Sequence, residues 1–270
     1  MFCIFLLVGC STKQENITIK KNNNQETVDL KVGFGLHHIE DGYSFDGKDV
    51  DINYDYEVVG RDANFGLMIF INGIPQMIKH EDKESLVYTF KGKKDTNKTE
   101  HVSIMPNTGS KGEHLYMHAF LIADYEIVDS LNRQHMMACG TTFIDIHQDT
   151  ANNPIDLNNN YDLIDYTSDL LKHDEEGYFD NNLLIQFPNN LEGNFKKNKP
   201  ITIKMSGISD NYILWVLEDL KPVSSYHIEL PKNKSAVLSY KPGNKTKNVK
   251  AIAIPLSSNL PEESTSLVVK

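Results

Sequence analysis

Asp49-Val50-Asp51-Ile52-Asn53-Tyr54-Asp55-Tyr56-Glu57-Val58 decides the fold of this chain. Val50, Ile52, Tyr54, Tyr56 and Val58 take every second position, and acidic or amide residues fill the places between. Successive side chains of a strand point to opposite faces, so this period of two predicts a half-buried strand. One face is apolar and partly aromatic; the other is acidic.

Working outward, Val28, Leu30, Val32 and Phe34 repeat the alternation upstream. Downstream, Phe65 to Ile71 is apolar on both faces, as expected of a strand held between two layers. Asn72-Gly73 ends it, and both residues tolerate the positive φ of a type I′ hairpin turn. Pro75 then confines the returning strand to an edge or shortens it. Strands are expected at Leu86–Phe90, at Val102–Met105 and over His114–Ala123, the last again apolar on both sides. Short strands separated by Gly, Pro and Asn turns suit an antiparallel sandwich of immunoglobulin-like architecture, without a Cys-Trp-Cys signature.

Residues 124–200 read less clearly. Phe143, Ile144 and Ile146 suggest a strand, and Tyr161–His173 carries apolar residues at near-helical spacing, so one short helix is allowed there. After Pro200 the strand pattern returns: Ile201–Met205, Tyr212–Leu217 around Trp215, Tyr226–Leu230, Val237–Tyr240 and Val249–Leu256. The expected class is therefore all-β, mainly antiparallel, with two immunoglobulin-like sandwiches. The first spans 28–147, a junction covers 148–195, and the smaller second spans 196–257 plus a strand at 183–187. Residues 258–270 read as a loose polar tail.

The N-terminus carries a different signal. Phe2, Ile4, Phe5 and Leu6 form a short apolar run before Leu7-Val8-Gly9-Cys10, and polar chain follows at once. That ending resembles the lipobox of bacterial lipoproteins. The resemblance implies cleavage before Cys10, lipid on the Cys10 sulfur and new amino terminus, and a chain held outside the membrane. Residues 1–10 would be the signal segment and 11–27, rich in Asn and Lys, a disordered tether. No Lys or Arg precedes Lys13, so the initiating codon is expected upstream of Met1.

Composition narrows the function classes. The formal charge of −10 over 270 residues argues against nucleic acid or anionic lipid bound through a basic face. Arg occurs only at positions 61 and 133 while Asn and Lys abound, the coding habit of an AT-rich genome such as that of a low-GC Gram-positive bacterium. With Cys10 lipidated and Cys3 removed, Cys139 has no partner within the chain and reads as a small buried hydrophobe. No later segment has the roughly eighteen uninterrupted apolar residues that a membrane span needs.

Candidate sites are few, and each has a plainer explanation. Asp49–Gly60 has the acidic spacing of a calcium loop but puts Tyr54 at the glycine position and Gly60 at the bidentate glutamate position. A weaker calcium site sharing Asp41, Asp46 or Asp49 stays open. His37-His38 with Glu40 is too short for zinc, and His114 and His118 would lie roughly 13 Å apart along a strand. Trp215, between Leu214 and Val216, reads as core before it reads as a sugar platform. No catalytic residue, metal or cofactor is assigned.

The leading expectation is a membrane-anchored extracytoplasmic lipoprotein, a non-catalytic binding or accessory protein that presents sandwich loops to a protein or glycan partner. The alternative is a carboxylate-dependent hydrolase acting on cell-wall or surface glycan. A deep pocket with two convergent carboxylates would mark the hydrolase. A solute-binding lipoprotein, built of alternating β-α-β units, fits the pattern poorly.

Overall fold

The computed structural model describes residues 30–37, 40–126, 135–151, 155–166, 183–257 and 260–270. Among them no helix forms, and the strands assemble into four sheets. Among the described strands, pairing is antiparallel except where β2 (Tyr43–Phe45) meets β11 (Met136–Ile146) and where β14 (Asn194–Phe195) meets β21 (Leu267–Val269); an isolated bridge between Asn158 and Tyr226 is also parallel. The class is all-β with two sandwich domains.

The first sheet is ordered β1 (Lys31–Leu36), β3 (Val50–Val59), β9 (Thr96–Ile104), β6 (Ile78–His80) and β7 (Lys83–Ser85). The second runs β2, β11, β10 (His114–Ala123), β4 (Ala63–Ile71) and β5 (Ile74–Pro75), with β8 (Tyr88–Gly92) also on the β4 edge. Ile52, Tyr54, Tyr56 and Val58 point inward from β3 and meet Phe65, Leu67, Ile69 and Leu121 of the second sheet in one core. Asp51 and Glu57 face solvent.

The second sandwich repeats the arrangement. Its first sheet is β14, β21, β19 (Asn248–Pro255), β16 (Asp210–Glu218) and β17 (Lys221–Leu230), with β20 (Glu262–Glu263) also against β19. Its other sheet is β12 (Asp162–Asp165), β18 (Lys234–Tyr240), β15 (Ile201–Ser206) and β13 (Leu184–Gln186). Tyr212, Leu214 and Val216 of β16 pack inward on Ile203, Met205 and Leu238.

The strands that are apolar on both faces lie where the sandwiches meet. Large apolar residues of β4, β10, β16 and β19 that do not enter a sandwich core form a third cluster: Met68, Phe70, Phe120, Ile122, Ile213, Trp215, Leu217, Ile252 and Ile254. The four sheets therefore stack as successive layers, with this seam in the middle. Phe70 meets Phe120 edge-on, ring centroids 5.5 Å apart, and Trp215 lies 6.5 Å from Phe70. The Trp215 indole N–H donates to the Gly73 carbonyl at 2.7 Å, which satisfies the one polar atom of the ring.

That carbonyl belongs to the hairpin between β4 and β5. Asn72 and Gly73 have φ of 49° and 75°, as a type I′ turn requires. A Cβ on Gly73 would lie 2.5 Å from Ile213 Cγ1, so glycine there serves both the turn and the seam. Pro75 ends the returning strand after two residues.

Three expectations are corrected. The short helix over Tyr161–His173 starts instead as a strand, because Asp162–Asp165 completes the β18 edge and Lys234 Nζ lies 2.6 Å from Asp165 Oδ1. The remainder of that segment, 167–182, is outside the described residues. Residues 258–270 are no loose tail: Leu267 and Val268 are buried, and β21 pairs with both β19 and β14. The junction 148–195 supplies β12 and β14 to the second sandwich. Val28, the tether and the signal segment with Cys10 lie outside the described residues.

Trp215→Ala is expected to cost about 3–5 kcal/mol, the usual range for deleting a buried large aromatic. Because the lost contacts join two domains, calorimetry should show one unfolding transition in the parent and two in the variant. A single, unshifted transition in the variant would contradict the seam.

Candidate functional site

The most concentrated buried charge lies at the margin of the seam. Along β19, Val249, Ala251 and Ala253 enter the second core while Ile252 and Ile254 face the first sandwich, and the same alternation puts Lys250 on the seam side. Only 2% of Lys250 is exposed. Glu263 stands opposite Ile252 across β19–β20, and its Oε2 lies 2.6 Å from Lys250 Nζ. Lys250 also donates to the His135 carbonyl at 3.2 Å, and the Met137 amide donates to Glu263 Oε1 at 3.4 Å. His135, itself buried, places Nε2 2.7 Å from the Glu126 carbonyl. An ion pair of the second sandwich thus holds the start of β11 in the first.

Burial governs the acidity here. Desolvation pushes the Glu263 carboxyl up, and Lys250 opposes that shift. Glu262 stands opposite Ala253, so it projects from the other face of the sheet. Desolvation, reinforced by the neighbouring Glu263 charge, raises its pKa to about 7. The sequence contains a trace of this cluster that the reading above missed: Lys250 interrupts an otherwise apolar run on a strand with two buried faces.

A second concentration is aromatic. Tyr54, Tyr56, Phe65 and Phe90 pack at ring distances of 5.0 to 6.4 Å where β3 faces β8. At its margin the half-buried Tyr88 stacks on His80 at 4.5 Å. The Tyr54 phenol is fully buried, its oxygen has no hydrogen-bond partner among the described residues, and its pKa is pushed up by desolvation and by Tyr88 and Glu100.

The residues singled out from sequence are dispersed. Asp49 is held by Lys79 at 2.9 Å, and Asp55 accepts from Thr99 at 2.6 Å and pairs with His37 at 2.9 Å. Residues 49–60 therefore form an acidic strand face. Asp41, Asp46 and Glu40 join no ligand set: among the described residues, no three His, Cys, Asp or Glu side chains gather where a metal could be held. His38 and Arg133 lie outside the described residues. His114 pairs with Asp145 at 2.8 Å near one end of β10, whereas His118 is fully buried further along the strand. Trp215 is seam, not platform. Cys139 is only partly buried against the seam, which corrects the expectation of a buried small hydrophobe.

Two of the open clefts among the described residues hold carboxylates. The first, about 300 Å³, lies between Arg61–Asn64 and Lys91–Lys93. In it Arg61 clamps Asp124 with both guanidinium nitrogens, and the Lys94 amide donates to Asp62 at 2.7 Å. The second, about 420 Å³, is lined by Glu218, Asp219, Lys221 and Gly243–Thr246. There Glu218 accepts from the Tyr240 hydroxyl at 2.6 Å, the Gly243 amide at 2.7 Å and the Thr246 hydroxyl. Asp219 accepts the Lys247 and Asn248 amides, each at 2.9 Å. These four carboxylates brace loops and present no paired acid and base.

Neither a protein-family model nor a curated protein sequence matches the chain. Among solved structures it is similar to the periplasmic chaperone SfaE at 11% identity, over 89% of this chain and 100% of that one, with a TM-score of 0.21. It is also similar to a structure bearing on host cell surface retention of a 1.5-MDa bacterial ice-binding adhesin, at 11% identity, over 89% of this chain and 65% of that one, TM-score 0.22. At such scores neither likeness carries weight for function.

Two outcomes are expected from the charged cluster. Lys250→Met leaves Glu263 buried without its cation and should cost about 3–5 kcal/mol in denaturant unfolding, whereas Lys250→Met with Glu263→Met should lose far less. Equal losses would show that the pair itself is not the linkage. The Glu262 carboxyl binds its proton more tightly folded than unfolded. Stability should therefore rise as pH falls through about 7 toward about 4.5, the interval between the raised value and the ordinary one. Asp55 and Asp165, held below the usual carboxylate range, act only under about pH 4. Melting temperatures should be higher at about pH 6 than at about pH 8, and Glu262→Gln should flatten the difference. An unchanged slope in the variant would remove Glu262 as the cause.

Proposed function

We propose that this chain is an extracytoplasmic lipoprotein, anchored through Cys10, that works as a non-catalytic binding or accessory protein. Its loops and strand margins would meet a protein or glycan partner at the cell surface. The observation that carries the reading is the state of the cleft carboxylates: Asp62, Asp124, Glu218 and Asp219 are all taken up by hydrogen bonds to the chain's own backbone and side chains. A glycosidase needs one carboxylic acid and one carboxylate converging on a bond, each able to change its partner during the reaction. A binding protein needs only a stiff scaffold with polar and aromatic groups at its margin. The four-layer stack provides that scaffold, and Tyr88, His80 and Glu100 supply such a margin. The absence of any helix among the described residues also weighs against a β-α-β solute-binding protein.

Chemical cross-linking on intact cells expressing the full chain, followed by mass spectrometry of the membrane fraction, tests this reading. Reproducible cross-links from loop residues to one surface component are expected. Turnover of wall glycan by the purified chain, abolished by replacing a cleft carboxylate, would favour the hydrolase instead. The N-terminal peptide tests the anchor: an acylated Cys10 mass unchanged by reductant is expected. A Cys10 peptide joined to Cys139 and split by reductant, or a chain recovered from the cytosol with Cys10 unmodified, would overturn it.

A further inference from the structure

The first sandwich has one strand edge that its own topology leaves open. Along one side, β9 pairs with β3 over its full length, from Thr96 opposite Val58 to Ile104 opposite Val50. On its other side β6 pairs only with Ser103 and Ile104. Among the described residues no strand pairs with that edge from Thr96 to Val102. Asn97, Lys98, Thr99 and His101 are exposed, which leaves this stretch open among the described residues. Such an edge presents backbone N–H and C=O groups in register for another strand.

We propose that a second copy of this chain docks on that edge, the two Thr96–Val102 segments pairing antiparallel about a two-fold axis at Thr99. The window is seven residues long, bounded at one end by β6 and at the other by the turn at Asp95, whose φ is 56°. Full overlap of this window with its own copy puts the axis on its central residue. Lys98 then faces Glu100 of the other copy, twice by symmetry. Thr99 faces Thr99, Asn97 faces His101 and Thr96 faces Val102.

Charge identifies the occupant. Edge strands usually resist association by presenting charges that repel a copy or meet nothing. Here Lys98-Thr99-Glu100 is neutral and is its own complement when reversed. Opposite charges and paired threonines directly across antiparallel strands both favour pairing. Within one chain Lys98 Nζ is 3.9 Å from Glu100 Oε1, and both side chains are well exposed, so little is lost when each changes partner. The contact is isologous, each copy giving the same patch, and it closes at two. It joins two five-stranded sheets into one. A seven-residue ladder buries less surface than a standard interface, so the dimer is weak.

Sedimentation velocity on the purified full chain, from about 10 µM to about 1 mM, tests the proposal in the range where weak pairs form. The parent is expected to dimerise with concentration. Lys98→Glu and Glu100→Lys should each weaken association by about tenfold or more, because like charges then face each other at two places. An equimolar mixture of the two variants should recover the dimer, since each charge of one meets its opposite on the other. The double exchange Lys98→Glu with Glu100→Lys should recover it as well. Trp215 fluorescence, remote from the edge, verifies that every variant is folded. A parent that stays monomeric throughout, association indifferent to both single variants, or folded variants whose mixture stays monomeric would each overturn the proposal. So would an edge occupied only by an unrelated extended peptide while the chain itself remains single.

Discussion

Four strands with no polar face, β4, β10, β16 and β19, govern this architecture. A sheet with one wet face can stop at two layers. A sheet whose strands are apolar on both sides must be covered twice, because exposed apolar area of that extent is unfavourable in a solitary domain. Each sandwich here has one ordinary outer sheet and one inner sheet of this kind. The two inner sheets cover each other, and Phe70, Phe120, Trp215 and Ile252 mark where they meet. Neither sandwich is self-sufficient in this sense: each is the other's third layer.

The alternation at Val50–Val58 and the doubly apolar runs at Phe65–Ile71 and Tyr212–Leu217 made the class legible, since both patterns follow from the two-residue period alone. The identity of the covering layer was not legible, because nothing local in Phe70 or Trp215 says which distant strand lies opposite. The C-terminal residues misled for a related reason. Leu267-Val268-Val269 is too short to declare a strand, and only β19 and β14 on either side give it a place. Leu163 and Ile164 have helical spacing with their neighbours, yet the free edge of β18 offered a ladder, and tertiary pairing outweighed propensity.

The candidate sites divide in the same way. The acidic face of β3 could be read from one window of sequence, and it became a strand surface held by Lys79, Thr99 and His37. The Lys250–Glu263 pair could not, since its partners include the backbone of His135 and Met137, remote in the chain. A buried pair of this kind contributes little net stability beside well-packed apolar residues. It does fix how the two sandwiches are seated, because only one arrangement satisfies both charges and the backbone groups beside them. Apolar contact supplies adhesion between the inner sheets, and the ion pair supplies register.

The late place of β19 in the chain bears on synthesis. Domains generally fold in the order in which they leave the ribosome. The first sandwich is complete once Ile146 has emerged, but its seam face, with Met68, Phe70, Phe120 and Ile122, then has nothing against it. Its cover cannot close until Ile252 and Ile254 of β19 are made and pair beside β16. The nascent chain therefore carries a bare apolar surface through most of the production of its second half, and that interval is when a holding factor would matter most to its yield.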